Sequence, residues 1–261
     1  PQVIFETLNY RGVPLEPSDL IRNFIFLQAN KEHKDVGNLY CQWWQDYDEA
    51  SGKEGKYWKE KEQQGRLFRS RLDLFFFHYL TYRVCHERKI GHLYQEFKDW
   101  WAAGQPKRSI EEELETAKRS SLVFGSLLTP SEDDQSNAFA HRIQTLDMTT
   151  IYPFLLWLYE NREHTNPEEF NGMLADLESY VVRRAICGMT PKAYNRTFLS
   201  LLSKLSKEGE PKRTSLQSEL LSLQGESGIW PNNDIFSAHL IYDPLYKNLG
   251  PKRLRMVLTA L

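Results

Sequence analysis

Several signals that would narrow the function are missing from these 261 residues. Cysteine occurs three times, at Cys41, Cys85 and Cys187, and no two cysteines have a Cys-x-x-Cys spacing. A disulfide framework or a thiolate metal site is therefore not expected. No apolar run approaches the roughly 20 residues that a membrane-spanning helix needs, and no basic-then-apolar leader opens the chain. We expect a soluble, cytoplasmic protein with no membrane partner.

The motifs of common active sites are also missing. A phosphate-binding loop needs closely spaced glycines that end in Gly-Lys-Ser or Gly-Lys-Thr, and no stretch offers this. The run at residues 52–56 is typical of a solvated flexible loop. The seven histidines form no His-x-x-x-His or His-x-His pair, and no serine lies in a Gly-x-Ser-x-Gly turn. We predict no catalytic centre, no metal and no cofactor within this chain.

Charge is nearly balanced, with a formal net charge of −2 and a pI near 6.5. This balance excludes a uniformly basic surface for nucleic acid, although it leaves room for a local patch. One basic cluster does occur, at Lys56, Lys59, Lys61, Arg66, Arg69 and Arg71, and it is interleaved with Glu54, Glu60 and Glu62. Such interleaving is typical of a solvated face; a phosphate-binding role is the alternative.

What the sequence does contain is the composition of an all-α, multi-helix bundle or array. Apolar residues make up 41% and aromatic residues 13%, valine and isoleucine are sparse, and alternating strand patterns are nearly absent. The capping box at Ser109 and Glu112 predicts one helix start. Predicted helices cover residues 3–8, 17–29, 36–47, 67–84, 93–101, 110–127, 138–146, 150–160, 167–187, 191–207, 216–223, 234–240 and 251–261.

The polar break at residues 130–137 predicts a boundary between two helical subdomains, 1–130 and 131–261. The chain opens at Pro1 without an initiator methionine and ends within a helical pattern. We therefore expect a piece of a longer protein. The sequence leaves open whether that protein forms a homodimer.

Burial patterns single out a few side chains in the predicted helices. In helix 17–29, Leu20, Phe24 and Leu27 are the expected buried stripe, with Asp19, Arg22, Asn23 and Phe26 on the opposite face. Of the tandem tryptophans at 43–44 and 100–101, one member of each pair should lie in the core. His78 lies in the most apolar helix, which favours a hydrogen-bonded core histidine over a metal ligand.

Two consecutive arginines lie in helix 167–187. Arg184 falls at the margin of the apolar stripe formed by Leu177 and Val181, where an arginine should have a carboxylate partner or a ligand. Arg183 is expected on the polar face near Asp176.

Two motifs in this chain are similar to those of a known family. Residues 3–15, VIFETLNYRGVPL, followed by Ser18-Asp19-Leu20-Ile21-Arg22-Asn23, resemble the closing motif of the N-terminal domain in GmrSD-like proteins, which are modification-dependent (type IV) restriction endonucleases that act in phage defence. Residues 180–188, YVVRRAICG, with 194–198, YNRTF, are similar to the helical region that precedes the C-terminal domain. Residues 230–236, 244–246 and 253–255 also resemble that region.

The resemblance implies a function for the chain within such a protein. The family's N-terminal domain has a ParB-like nucleotide-binding fold with an Asp-Gly-Gln-Gln-Arg element, and its C-terminal domain is an HNH-type nuclease. Neither signature occurs here, so the resemblance implies a helical connector without activity of its own. The flanking domains of the same chain would be its partners, with modified DNA reached through the full-length protein. An NTP and a divalent metal are expected for that full-length protein, not for this segment.

The resemblance also assigns candidate residues, motif by motif. Residues that match the first motif would approach the nucleotide site or pack against it: Asn9, Arg11, Gly12, Asp19, Arg22 and Asn23. Arg183 and Arg184 match the second motif, and one of them is expected to make an interdomain or backbone contact. The alternative function is a non-catalytic helical scaffold for protein interactions, with no enzyme in its parent protein.

Overall fold

The computed structural model describes residues 15–48, 51–104, 108–130 and 135–260. The predicted helix at 3–8 and the candidates Asn9, Arg11 and Gly12 lie outside these ranges. Within them the chain is an all-α array with a single two-stranded hairpin, as the composition predicted. Its main elements are α1 (Pro17–Lys31), α2 (Val36–Trp43), α3 (Lys53–Lys59), β1 (Lys61–Gln64), β2 (Leu67–Ser70), α4 (Arg71–Val84), α5 (Leu93–Ala102), α6 (Ile110–Leu128), α7 (Gln135–Thr145), α8 (Tyr152–Glu160), α9 (Pro167–Ile186), α10 (Tyr194–Glu208), α11 (Arg213–Ser222), α12 (Asn233–Tyr242) and α13 (Leu245–Ala260).

The chain divides into two compact units between Leu122 and Val123, a point that lies inside α6. We call them the N-terminal and the C-terminal unit. The start of α6 is the predicted capping box: the Ser109 amide donates to the Glu112 carboxylate (2.8 Å), and the Glu112 amide donates to Ser109 Oγ (3.3 Å).

The core of the N-terminal unit is aromatic. Trp44 stacks on Phe76 with ring centroids 5.5 Å apart, and Tyr47 and Phe75 are buried beside them. Phe75 and Phe76 belong to α4, which contacts α1, α3 and α5 and is the central helix of this unit, as its apolar sequence predicted. Trp44 and Trp100 are the buried members of their tandem pairs, which confirms that prediction.

The burial predicted for α1 was partly wrong. The buried residues are Ser18, Ile21, Arg22, Ile25, Phe26 and Ala29, whereas Leu27 is 46% exposed. Phe24 is half-buried at an edge, 5.9 Å from the Trp101 ring. The face that carries Arg22 is buried because three large apolar residues lie on it and because Arg22 has a carboxylate partner.

The hairpin was not predicted, and the predicted helix 67–84 begins at Arg71, since Leu67–Ser70 is a strand. The strands pair antiparallel with Lys61 opposite Ser70 and Gln64 opposite Leu67. Gly65 follows β1 with a positive φ of 56°, which glycine adopts without strain. The flexible loop expected at residues 52–56 was wrong, because residues 53–59 form helix α3.

The C-terminal unit is built around two helices. Every residue of α8 from Tyr152 to Leu158 is buried, and α8 packs against α10. The 20-residue helix α9 contacts α7, α11, α12 and α13. Helix α13 has a kink at Gly250 (φ 73°, ψ 170°), just before Pro251, because neither the glycine conformation nor the proline ring fits a regular helix interior.

No helix within the described ranges is both long and apolar enough to span a bilayer.

Candidate functional site

The first motif residues that the structure describes lie at the start of α1, and Asp19 there has local partners. Its carboxylate accepts a hydrogen bond from the Glu16 amide (3.2 Å) and pairs with Lys59 Nζ (2.8 Å). An acidic side chain in the first turn is stabilised by the helix dipole. Asp19 is therefore a helix-capping residue that ties α1 to α3.

The buried side chain of Arg22 joins α1 to Asp48, which lies at the end of the segment after α2. Its Nη1 donates to both carboxylate oxygens of Asp48 (2.9 Å each), and the Tyr40 hydroxyl donates to the same carboxylate (2.5 Å). Burial, followed by the hydrogen bond to Asp48, raises the pKa of Tyr40 above its usual value. Tyr40 thus remains a neutral donor to the carboxylate throughout the physiological range.

Four buried polar atoms around this anchor have no hydrogen-bond partner among the residues that the structure describes. They are Glu16 Oε2, Ser18 Oγ, Arg22 Nε and Asn23 Oδ1. A buried polar atom left unpaired costs about 1–3 kcal/mol, so such atoms usually meet solvent, protein or a ligand. Asn23, a predicted site residue, belongs to this group. The start of α1 is therefore one of the places in the N-terminal unit where buried polar atoms have no partner among the described residues.

Arg184 is the central residue of the second motif, and its side chain is fully buried at 0% exposure. The guanidinium donates to four backbone carbonyl oxygens and one hydroxyl: Ile229 O (2.7 Å), Thr190 O, Glu226 O and Ser227 O (3.1 Å each) and Tyr194 Oη (3.2 Å). Its carbon Cζ also lies 5.5 Å and 5.3 Å from the ring centroids of Tyr180 and Tyr194.

This arrangement differs from the carboxylate partner expected for Arg184. Arg184 contacts no carboxylate among the described residues, so the predicted carboxylate partner is wrong. Carbonyl dipoles and tyrosine faces stabilise the buried charge instead, and they join the segments at 190 and 226–229 to α9. All four of these carbonyl groups belong to the C-terminal unit, as Arg184 does.

Arg183 was expected near Asp176, and this was wrong. Its Nη1 donates to Pro231 O (3.1 Å), and its guanidinium lies 4.9 Å from the Phe236 ring centroid. Asp176 is bound by Arg213 instead, through two hydrogen bonds of 2.7 and 3.0 Å. The difference arises because α12 covers this side of α9 and offers Arg183 an aromatic face.

A cavity of about 290 Å³ lies beside Arg183 within the C-terminal unit. Arg142 and Glu178 form an ion pair at its wall with a separation of 2.6 Å. Phe139 and Val257, both almost fully buried, contribute apolar lining, while Asn171 and Ser179 add polar groups. The cavity is large enough for a small molecule with one apolar side. The net charge of its lining is small.

One buried polar cluster was missed by sequence reasoning. Glu113 accepts hydrogen bonds from the Tyr79 hydroxyl (2.5 Å) and from Arg83 Nη1 (3.0 and 2.8 Å). Burial raises the pKa of Glu113, and Arg83 opposes that rise. A signal was available, because residue 113 falls on the same helical face as Ile110, Leu114 and Ala117, all of which are buried.

Within the described ranges, no three His, Cys, Asp or Glu side chains converge as metal ligands would. Among the described residues of the two motifs, Arg22 is an anchor within the N-terminal unit and Arg184 is an anchor within the C-terminal unit. No family model, curated protein or solved structure matches the chain.

Proposed function

We propose that this chain is the helical connector of a modification-dependent restriction endonuclease, joining a nucleotide-sensing module to a nuclease and having no catalytic activity of its own. The proposal rests on the resemblance of two motifs to GmrSD-like proteins. One observation supports it: the motif arginines Arg22 and Arg184 lie in different compact units and act as buried anchors in both. In a connector, we expect the residues that match the family motifs to stabilise the fold and not to take part in catalysis.

A sequence observation provides the first test. The reading frame that encodes this chain should contain an Asp-Gly-Gln-Gln-Arg element upstream and a His-rich nuclease motif downstream. If both are missing from the complete frame, the connector proposal is wrong.

The second test uses the full-length protein and the unit boundary inside α6. Insertion of Gly-Ser-Gly-Ser between Leu122 and Val123 breaks the helix where the chain passes from one unit to the other. We expect nucleotide turnover to persist while restriction of phage with modified DNA falls to the level of an empty vector. The plating efficiency of modified and unmodified phage measures restriction, and phosphate release measures turnover.

The matched control inserts the same four residues after Gly209, an exposed loop position with a positive φ of 94°. This variant should restrict modified phage normally. Equal restriction by both variants would contradict the role of α6 in coupling.

A non-catalytic interaction scaffold is the second candidate, and one observation favours it. Ile241, Tyr242 and Tyr246, at the end of α12 and the start of α13, are 70%, 81% and 68% exposed. Contiguous exposed apolar side chains mark protein-interaction surfaces. A complete reading frame without either family motif, together with loss of self-association in light scattering for Tyr242→Ser, would favour the scaffold.

A further inference from the structure

Positive charge is concentrated in one short segment of the N-terminal unit. Residues 53–71 contain seven lysines and arginines and three glutamates, a net charge of +4. The whole chain has a net charge of −2, so the remaining residues have a net charge of −6. A segment of 19 residues with this excess is not explained by the general need for a solvated surface.

The structure separates these cations into two groups. Lys59 pairs with Asp19 at 2.8 Å, and Arg71 pairs with Glu60 and Glu62 at 2.7 and 3.1 Å. A second group is exposed and has no carboxylate partner within the described ranges: Lys53, Lys56, Lys61, Arg66 and Arg69. Their charge is therefore available to an external partner.

The hairpin β1–β2 presents three cations of this second group along its length. Lys61 lies on the same side as Phe68, which is 53% exposed, and Lys61 Nζ is 5.9 Å from the Phe68 ring centroid. Arg66 lies at the turn, and Arg69 is exposed on the other side of β2. An exposed aromatic ring among unpaired cations is costly to hydrate and is suited to contact with sugars or bases.

The hairpin is fixed to the helical core through two buried side chains, Gln64 in β1 and Ser70 in β2, and Ser70 Oγ accepts a hydrogen bond from the Asp73 amide of α4. Gln64 is buried, and its Oε1 lies 2.8 Å from Nε2 of the buried His78 in α4. The cationic hairpin is therefore held by a rigid helix, so its charges keep a defined spacing.

We propose that this hairpin, through Lys61, Arg66 and Arg69, binds the phosphate backbone of duplex DNA. A two-stranded ribbon has the dimensions of the B-DNA major groove, and cations on both sides of the ribbon neutralise the flanking phosphates. A membrane surface fits less well, because the hairpin offers one exposed aromatic side chain and no apolar patch to insert. The inference depends on this hairpin and not on the connector role.

The experiment measures binding of the purified 261-residue chain to a fluorescent 30-base-pair duplex by anisotropy, from about 50 to 200 mM salt. We expect the triple variant K61Q/R66Q/R69Q to bind at least about tenfold more weakly at the lowest salt. The slope of log K against log salt should fall by about 2.7, because each lost phosphate contact removes about 0.9.

The control variant K192Q/K207Q/K247Q removes the same charge from exposed positions in the C-terminal unit. It should change the slope by less than about one. The proposal is overturned if the unchanged chain does not bind the duplex, or if the two triple variants weaken binding equally. Loss of binding to phosphatidylserine vesicles by K61Q/R66Q/R69Q, with duplex binding unchanged, would overturn it in favour of a membrane contact.

Discussion

At the scale of single residues, the buried polar side chains of this protein fall into two kinds. Some are neutral at physiological pH and serve as hydrogen-bonding groups, as His78 does. Others keep a full charge in the core, as Arg184 does. The two kinds respond differently to pH and to substitution, and each can be tested separately.

Burial lowers the pKa of His78 from its ordinary value of 6.5 to about 3, so the folded protein keeps this side chain neutral. The unfolded chain binds a proton below pH 6.5 that the folded chain does not. Stability is therefore retained above about pH 6.5 and lost as the pH falls, by about 1.4 kcal/mol per pH unit. Urea denaturation should show a loss of about 2 kcal/mol between about pH 6.5 and 5 that His78→Gln abolishes.

The exposed His86 provides the control for this prediction. Replacement by glutamine there should leave the pH dependence of unfolding as it is in the unchanged chain. If His78→Gln also leaves it unchanged, protonation of His78 does not limit stability in acid.

Arg184→Met keeps most of the side-chain volume but removes every hydrogen bond that the guanidinium donates to oxygen. We expect it to destabilise the C-terminal unit by at least about 3 kcal/mol, because four carbonyl groups lose their partner in a buried site. Differential scanning calorimetry measures the loss. Arg196→Met, at an exposed position of α10, should change stability by less than about 0.5 kcal/mol, and a similar loss at both positions would contradict the anchoring role.

At the scale of elements, the capping box at the start of α6 is a place where local sequence and structure agree closely. Ser109→Ala removes the acceptor of the capping box and should destabilise the start of α6 by about 1 kcal/mol. Hydrogen exchange of the first-turn amides of α6 should quicken by about fivefold. The exposed Ser126, near the other end of the helix, offers the control, since Ser126→Ala should leave those amides unaffected.

The sequence predicted the helices of this fold better than it predicted the hairpin. Helices with caps or strong apolar faces, such as α5, α6 and α9, were placed to within about one or two residues. The hairpin was missed because Lys61–Gln64 has no apolar residue and is stabilised by long-range contacts, chiefly that between Gln64 and His78. Intrinsic propensity could not reveal a strand that is fixed by pairing with β2 and by a contact of Gln64 with α4.

The candidate site shows a similar limit. The spacing placed Arg184 at the margin of a core, which was informative, but it could not identify the segments at 190 and 226–229 as its partners. The same reasoning placed Arg22 on the face opposite the expected buried stripe of α1, because its partner Asp48 lies 26 residues away. Partners distant in sequence decide whether a charged residue is buried, and a single sequence does not name them.

At the scale of the whole molecule, each of the two compact units contains buried apolar side chains, and we expect the units to unfold in two transitions. Leu74 in α4 and Leu202 in α10 are both fully buried, one in each unit. Leu74→Ala and Leu202→Ala should each cost about 2–5 kcal/mol and lower the midpoint of one transition. Calorimetry would separate the transitions, and a single transition shifted by both substitutions would show that the units unfold as one.

The anchor at Arg184 has a consequence for behaviour in acid. Any ion pair depends on an ionised carboxylate, whereas the amide carbonyl oxygens that bind Arg184 stay unprotonated at any pH a protein survives. The junction that joins α9 to the loops at 190 and 226–229 is therefore an acid-resistant clamp.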